Sequence, residues 1–300
     1  MSIAISSDQA VPPQDSDAPL QMRLQALEID DLLGNPVSAI GNCLSLAELY
    51  CRDGQDAPAE AMFRRAVNIA AGLGADETAG RLALLLGSMC LAREELPRGT
   101  TLLLKAVGIF GASGCDELLF LSCRALACIY RRSKRWEKAE HMLLRALEIA
   151  RRRNVPVELA AGLSALGSLY LQQGNAVSAR DAFHKALALY TAGAHAEGRA
   201  DALGHLGVAY LLCNLPEQAH AYLYQAHQLN TNLQRPQRRA DNAANLGNVY
   251  RAQKRFGKAR SCYLEALPLF EAAGKHRKVA LLRSLLAGLN RPDLLQSYHK

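Results

Sequence analysis

Aromatic residues and long apolar runs are both scarce in this 300-residue chain. Half of the residues are hydrophobic, yet only 6% are Phe, Trp or Tyr, and alanine and leucine dominate the rest. Small and aliphatic side chains in this proportion favour closely packed helices over a β-sandwich or barrel. No run of about 18 apolar residues, the length needed to cross a bilayer, is present, so the sequence predicts no transmembrane helix.

The features of a secretory signal are also missing. The first 20 residues have neither a basic segment nor a sustained apolar segment. Pro, Ser, Gln and Asp recur there instead, so residues 1–19 are predicted to form a disordered acidic leader. The chain has eight cysteines but no CxxC pair. Without a secretory signal, this usage favours reduced thiols and a cytoplasmic location.

Motifs of the common catalytic sites are absent as well. The chain contains no P-loop, GxSxG elbow, HExxH or GxGxxG, which would supply a phosphate cradle, a nucleophile, a zinc site or a dinucleotide site. Its eight histidines are scattered along the sequence and form no pair four residues apart. We therefore expect a non-enzymatic protein with no cofactor and no metal site.

The balance of charge changes along the chain. Residues 1–60 hold ten acidic and two basic residues, whereas residues 61–300 hold 18 acidic and 33 basic ones. A basic body behind an acidic leader suggests an acidic partner. Charge alone leaves open whether that partner is a peptide, a nucleic acid or a lipid surface.

A repeat with a period of 40 residues runs through most of the chain. One register holds leucine in six successive units: Leu46, Leu86, Leu126, Leu166, Leu206 and Leu246. Four residues later stands a tyrosine or, once, a cysteine: Tyr50, Cys90, Tyr130, Tyr170, Tyr210 and Tyr250. Another register holds only alanine: Ala66, Ala106, Ala146, Ala186, Ala226 and Ala266. A fixed period of this length indicates a repeat protein in which each unit is one supersecondary element.

Each unit is predicted to contain two amphipathic helices. In residues 157–193, Leu166 and Tyr170 lie four residues apart on the apolar face of a first helix. The turn Gln173-Gly174-Asn175 separates this helix from a second one, whose apolar face carries Phe183. The small residues of the repeat allow the paired backbones to approach, so Ala146 and Ala186 are predicted to be buried where hairpins meet.

These residues resemble the signature of the tetratricopeptide-repeat family. The match covers roughly residues 20–290 and is carried in one unit by Leu166-Gly167, Tyr170, Ala179, Phe183 and Ala186. The period of 40 residues exceeds the usual length of about 34. In this it is similar to the repeats of kinesin light chain, of Pins-type polarity adaptors and of bacterial Rap-type regulators. The segment Asn245-Leu246-Gly247-Asn248-Val249-Tyr250 resembles the Pins-type repeat most.

The resemblance implies an all-α fold, a right-handed superhelical α-solenoid of six helical hairpins with half-repeat caps at both ends. The superhelix is predicted to cover residues 20–290, followed by a tail at residues 291–300. Its predicted parts are a half repeat, six repeats and a capping helix, at residues 20–35, about 36–75, 76–115, 116–155, 156–195, 196–235, 236–275 and 276–290.

The resemblance also implies a binding groove along the first helices, into which the fifth, ninth and twelfth residues of each unit point. Eight residues at or beside these positions form the predicted site: Arg124, Arg131, Ser168, Leu171, Leu211, Asn245, Asn248 and Arg251. Leucines in an empty groove would be exposed, which usually means that a partner covers them. The arginines suit carboxylates and the asparagines suit a peptide backbone. Packing of individual leucines between neighbouring first helices remains an alternative.

The sequence therefore predicts a cytoplasmic adaptor, scaffold or regulator that binds an acidic, partly apolar peptide segment of another protein. An alternative is that basic ridges outside the groove, such as residues 131–138, 151–153 and 254–260, bind nucleic acid or an anionic membrane surface. No aromatic residues interleave with these clusters to stack bases, and cations at the end of a helix also complement its dipole. We therefore expect neither nucleic acid nor a membrane to be the main partner.

The acidic leader could inhibit binding by occupying the basic groove of its own chain, because a tethered segment has a high effective concentration. The plainer alternative is a solubilising tail. If the leader is inhibitory, deleting residues 1–19 will tighten binding of the partner, as measured by titration calorimetry. Equal affinity of the full-length and shortened proteins would rule the idea out.

Overall fold

A computed structural model describes residues 18–53, 55–74 and 76–289. Within those residues the chain forms fourteen α-helices and no β-strand, which confirms the all-α fold class. The helices are α1 (Ala18–Leu33), α2 (Pro36–Arg52), α3 (Asp56–Gly72), α4 (Asp76–Ala92), α5 (Leu96–Ser113), α6 (Asp116–Arg132), α7 (Trp136–Arg152), α8 (Pro156–Gln172), α9 (Ala176–Ala192), α10 (Ala196–Leu212), α11 (Pro216–Asn232), α12 (Pro236–Ala252), α13 (Phe256–Ala272) and α14 (His276–Leu289).

The predicted leader and tail lie almost entirely outside the described residues. Helix α1 begins at Ala18, so the last two residues assigned to the leader are helical. The reason is local, because proline at position 19 fits the first turn of a helix, where its missing N–H leaves no hydrogen bond unmade.

The helices belong to two compact units, Met1–Ala125 and Leu126–Lys300, and the boundary between them falls within the sequence of α6. In the first unit, α1 to α4 each pack on the next helix in the chain. In the second unit, α7 to α13 do the same, and α10 also packs on α8 and α12. Packing between successive helices is the pattern of an α-solenoid.

Turns of constant length produce the 40-residue period. Each helix from α6 to α13 contains 17 residues, and three residues separate it from the next. The middle residue of each turn has a positive φ angle, at Lys134, Asn154, Gly174, Ala194, Asn214, Gln234, Lys254 and Gly274. This left-handed conformation lets the following N–H reach back to the helix, so that the N–H of Arg135 donates to the Tyr130 carbonyl at 2.8 Å.

Small residues of the first helices receive large side chains of the second helices. A Cβ atom added to Gly207 would lie 2.3 Å from Cγ of Leu223, and one added to Gly247 would lie 2.3 Å from Cε1 of Tyr263. Neither position can hold a larger residue unless its neighbour moves. All six alanines of the Ala66 register are 0% exposed, which confirms the predicted burial of Ala146 and Ala186.

Candidate functional site

The predicted groove residues all lie on first helices of the hairpins. Their positions are Arg124 and Arg131 on α6, Ser168 and Leu171 on α8, Leu211 on α10, and Asn245, Asn248 and Arg251 on α12. Each of the eight side chains is at least partly exposed, as a ligand-binding surface requires.

The structure brings three of these residues together in the second unit. Leu211, Asn248 and Arg251 border an open pocket of ≈ 480 Å³, and Leu281 and Leu285 of α14 form its other side. Leu281 is 60% exposed, so aliphatic surface faces solvent beside the guanidinium of Arg251. The pocket therefore offers both an aliphatic surface and a guanidinium. A site for an acidic, partly apolar segment is expected to have these two features.

A second, more enclosed cavity adjoins this pocket, and Asn248 borders both. Its volume is ≈ 350 Å³, and its lining comes mainly from α10, α12 and α14. Asn245, a predicted groove residue, also lines it. The hydroxyl of Tyr263 donates to Oδ1 of Asn248 at 2.8 Å and so fixes the orientation of that amide. Four predicted residues (Leu211, Asn245, Asn248 and Arg251) thus border this connected region.

Ion pairs join successive first helices along the rim of the cavity. Asp201 of α10 lies 3.2 Å from Arg235 and 3.4 Å from Arg238, both near the start of α12. Asp241 of α12 pairs with Lys278 of α14. Since the acidic groups come from one helix and the basic groups from the next, these pairs hold the first helices together. The charges at the rim are therefore largely balanced within the protein.

His205 of α10 is an uncharged polar group in the wall of the cavity. Its ring stacks on Phe183, with the ring centres 4.9 Å apart. Burial lowers the pKa of the His205 imidazole below its ordinary value, and the nearby cations Arg238 and Arg131 lower it further against the opposing effect of Asp201. The imidazole is consequently neutral at neutral pH.

Two buried asparagines line the same cavity. Asn230 of α11 is 1% exposed and Asn242 of α12 is 5% exposed. Gly204 of α10 leaves room for the second amide, since a Cβ atom on Gly204 would lie 2.9 Å from Oδ1 of Asn242. The absence of a side chain on Gly204 therefore provides space for the Asn242 amide in the wall of the cavity.

The other predicted residues do not border either pocket. Arg124 belongs to the first unit, where its guanidinium lies 5.3 Å from the centre of the Phe120 ring. The hydroxyl of Ser168 donates to the carbonyl of Ser164, 2.9 Å away on the same helix.

Both leucines of the predicted site are partly buried by packing between helices. Leu171, which borders neither pocket, packs in part against one core cluster, and Leu211 packs against another. Packing between helices and exposure to the groove therefore coexist at both leucines.

Sequence reasoning missed His205, Asn230 and Asn242, whereas Gly204 occupies a fifth position of its unit and was already assigned to the groove by its register. For Asn230 the signal is a departure from the apolar residues of its register. The complete units carry Ala70, Phe110, Ala150, Tyr190 and Phe270 there, and the leading half repeat carries the buried Asp30. Searching for positions that break the period would have found Asn230 but not Asn242, because Asn42 stands at the register of Asn242.

No helix in the described part of the chain is long and apolar enough to cross a membrane. Among the same residues, no cluster of three or more His, Cys, Asp or Glu side chains is arranged to hold a metal ion.

Two family profiles, both described as tetratricopeptide repeat, match residues 122–156 and 243–273. The resemblance to this family predicted from the sequence is therefore confirmed in these two segments. No curated protein sequence matches the chain significantly.

Solved structures of low sequence identity share the fold. Aspartyl phosphate phosphatase F from Bacillus subtilis is 10% identical, with 93% of this chain and 80% of that chain covered and a TM-score of 0.67. The apo form of RapI is 12% identical, with coverages of 86% and 99% and a TM-score of 0.64. Nearly identical TPR-like repeats of a protein assigned as a kinesin light chain from Podosopora anserina are 16% identical, with coverages of 65% and 96% and a TM-score of 0.55. At these identities the likeness concerns the fold.

Proposed function

We propose that this tetratricopeptide-repeat chain is a non-enzymatic adaptor or regulator, which binds a segment of another protein in the groove of its first helices. Tetratricopeptide repeats are in general protein-interaction modules, and two segments of the chain match that family. The proposal names a more specific event, the capture of an acidic, partly apolar peptide.

The observation that carries this proposal is the pocket formed by Leu211, Asn248 and Arg251 with Leu281 and Leu285. Aliphatic side chains that remain partly exposed in a concave site favour an apolar anchor from a partner. The adjacent Arg251 is itself exposed. A carboxylate on the bound segment can reach this guanidinium while a neighbouring apolar side chain covers the leucines.

The basic ridge at Arg151–Arg153 has a different environment. Arg153 follows the end of α7 and pairs with Glu158 of α8, so it has a role within the fold. Arg151 and Arg152 are exposed at the end of the same helix, where cations complement the helix dipole. They provide a matched set of surface arginines with which the groove arginines can be compared.

We expect truncation of a groove arginine to weaken peptide binding far more than truncation of a ridge arginine. A binder is first selected from a random 12-residue peptide display library with the full chain as bait. Arg251→Ala, Arg131→Ala or Arg124→Ala should then cost about 2 kcal/mol, or about 30-fold in affinity, wherever the arginine meets a carboxylate in a partly dry site. Arg151→Ala and Arg152→Ala should each cost less than about 1 kcal/mol, because exposed ion pairs are screened. Titration calorimetry measures these differences.

The same titrations, repeated at several salt concentrations, separate groove binding from the alternative partners. Binding of nucleic acid through phosphate contacts loses orders of magnitude in affinity between low and moderate salt, whereas apolar anchoring loses much less. Dominance of Arg151 and Arg152 over the groove arginines, together with a steep salt dependence for a single-stranded oligonucleotide, would contradict the proposal.

A further inference from the structure

Two amides, an imidazole and a glycine meet at one cavity. Asn230, Asn242, His205 and Gly204 stand on three different helices, and all four line the cavity between α10, α12 and α14. At the register of Asn242, one other unit also carries a buried asparagine, Asn42, whereas Leu82 in another unit shows that a large apolar residue fits there. Polar residues at core positions of an otherwise regular repeat point to a requirement other than stability.

The polar groups in this cavity have unused hydrogen-bonding atoms. Nδ2 of Asn230 donates to the Ala226 carbonyl at 3.0 Å, but Oδ1 of Asn230 has no partner in the described part of the chain. Nδ2 of Asn242 and Nδ1 of His205 are unpaired there as well. Buried polar atoms are nearly always paired in folded proteins, with protein, water or ligand, so three unpaired atoms around one cavity call for a common partner.

That partner must be uncharged and must both donate and accept hydrogen bonds. The buried groups are two neutral amides and a neutral imidazole, which offer no counter-charge to an ion. The charged groups at the rim are already paired, Asp201 with Arg235 and Arg238, and Asp241 with Lys278. An acceptor on Asn230 and a donor on Asn242 are complementary to a group that carries a donor and an acceptor side by side.

We propose that this cavity binds the side-chain carboxamide of a glutamine or asparagine in the segment that occupies the groove. The inference rests on the proposed function and adds a specificity determinant to it. The cavity opens next to the apolar pocket, and Asn248 borders both, so one bound segment can place an aliphatic side chain in the pocket and a carboxamide in the cavity. A site built from hydrogen-bonding groups rejects ligands that lack the matching group, because its own polar atoms then stay unpaired.

Selection from a random peptide library tests this inference, with full-length wild-type chain and the Asn242→Leu variant as parallel baits. The variant replaces the amide by the residue that Leu82 provides at the same register, so the core position stays filled. Wild-type selections should enrich Gln or Asn at one fixed position beside an apolar residue. Selections on Asn242→Leu should retain the apolar preference and lose the preference for Gln or Asn.

Single-peptide titrations then measure the preference. Changing the selected Gln to Glu or to Leu should weaken binding to the wild-type chain at least tenfold and change binding to Asn242→Leu less than twofold. Asn232→Leu is the matched control, because Asn232 is exposed on α11 and does not line the cavity, so it should behave as wild type. Thermal melts of each variant confirm that it is folded. A second variant, Gly204→Val, fills the cavity directly and should give the same loss of preference.

The outcomes separate this inference from the proposed function. Enriched peptides without any preference for Gln or Asn, or a preference that persists in both Asn242→Leu and Gly204→Val, would overturn the inference and leave groove binding intact; the polar atoms would then be paired only by ordered water. Absence of any enriched peptide on the wild-type chain would overturn both.

Discussion

Replacing Leu211 with glutamate is expected to weaken binding of a groove peptide more than 100-fold, the largest effect on affinity that the structure predicts. The substitution removes an aliphatic contact worth about 1.5–3 kcal/mol when fully buried. It also places a carboxylate beside the acidic groups of the ligand, and juxtaposed like charges cost several kcal/mol. Titration calorimetry with the selected peptide measures the loss, and Leu171→Glu should lower affinity in the same direction.

Leu212 provides the control for this prediction. It is the next residue in the sequence, is 60% exposed and borders neither groove pocket. Leu212→Glu introduces the same charge on the same helix, so we expect its affinity to stay close to that of the wild-type chain. Circular dichroism should show unchanged helicity for both variants. Equal losses for Leu211→Glu and Leu212→Glu would mean that a general change of charge, and not a contact in the groove, controls binding.

Replacing Ala186 with phenylalanine is expected to cause the largest loss of stability among the substitutions considered. Ala186 is 0% exposed, and so are the alanines at the same register in the other five units. Overpacking of a well-filled core costs about 1–3 kcal/mol. Ala146→Phe should behave similarly, because Ala146 has the same register and burial. Denaturant unfolding followed by circular dichroism measures the change in the free energy of unfolding.

Ala188 lies two residues away on the same helix and is exposed, so Ala188→Phe adds the same ring without overpacking. We expect its free energy of unfolding to change by less than about 0.5 kcal/mol. If Ala186→Phe and Ala146→Phe unfold at the same denaturant concentration as the wild-type chain, the register assigned to the repeat is wrong.

The fold could be predicted because the same physical requirement recurs every 40 residues. A small residue such as Gly207 must face a large one such as Leu223 wherever two helices of a hairpin meet, so the sequence shows the contact as a periodic pattern. The backbone conformation of the turns was harder to predict from the sequence than the pairing of the helices. Gly174 predicts a residue with positive φ, because glycine adopts that conformation readily. Ala194 and Gln234 adopt the same conformation, although alanine and glutamine have no preference for it.

The site could be predicted only in part. Leu211, Asn248 and Arg251 were found because the groove positions follow the same period as the core. The pairing of Asp201 with Arg235 and Arg238 could not be read from the sequence, because it depends on how far side chains reach between neighbouring first helices. The cavity around Asn242 requires residues from several helices, and no local pattern links them.

The position of the cavity beside the last described helix has a dynamic consequence. Helix α14 packs mainly on α13, whereas α10 contacts four other helices and α12 contacts three. In a repeat protein, local unfolding begins where a helix has the fewest neighbours, so α14 should open at a lower free energy than the helices behind it. Opening of α14 exposes both the aliphatic pocket and the amide cavity. A ligand that bridges α10, α12 and α14 would therefore slow amide hydrogen exchange in α14.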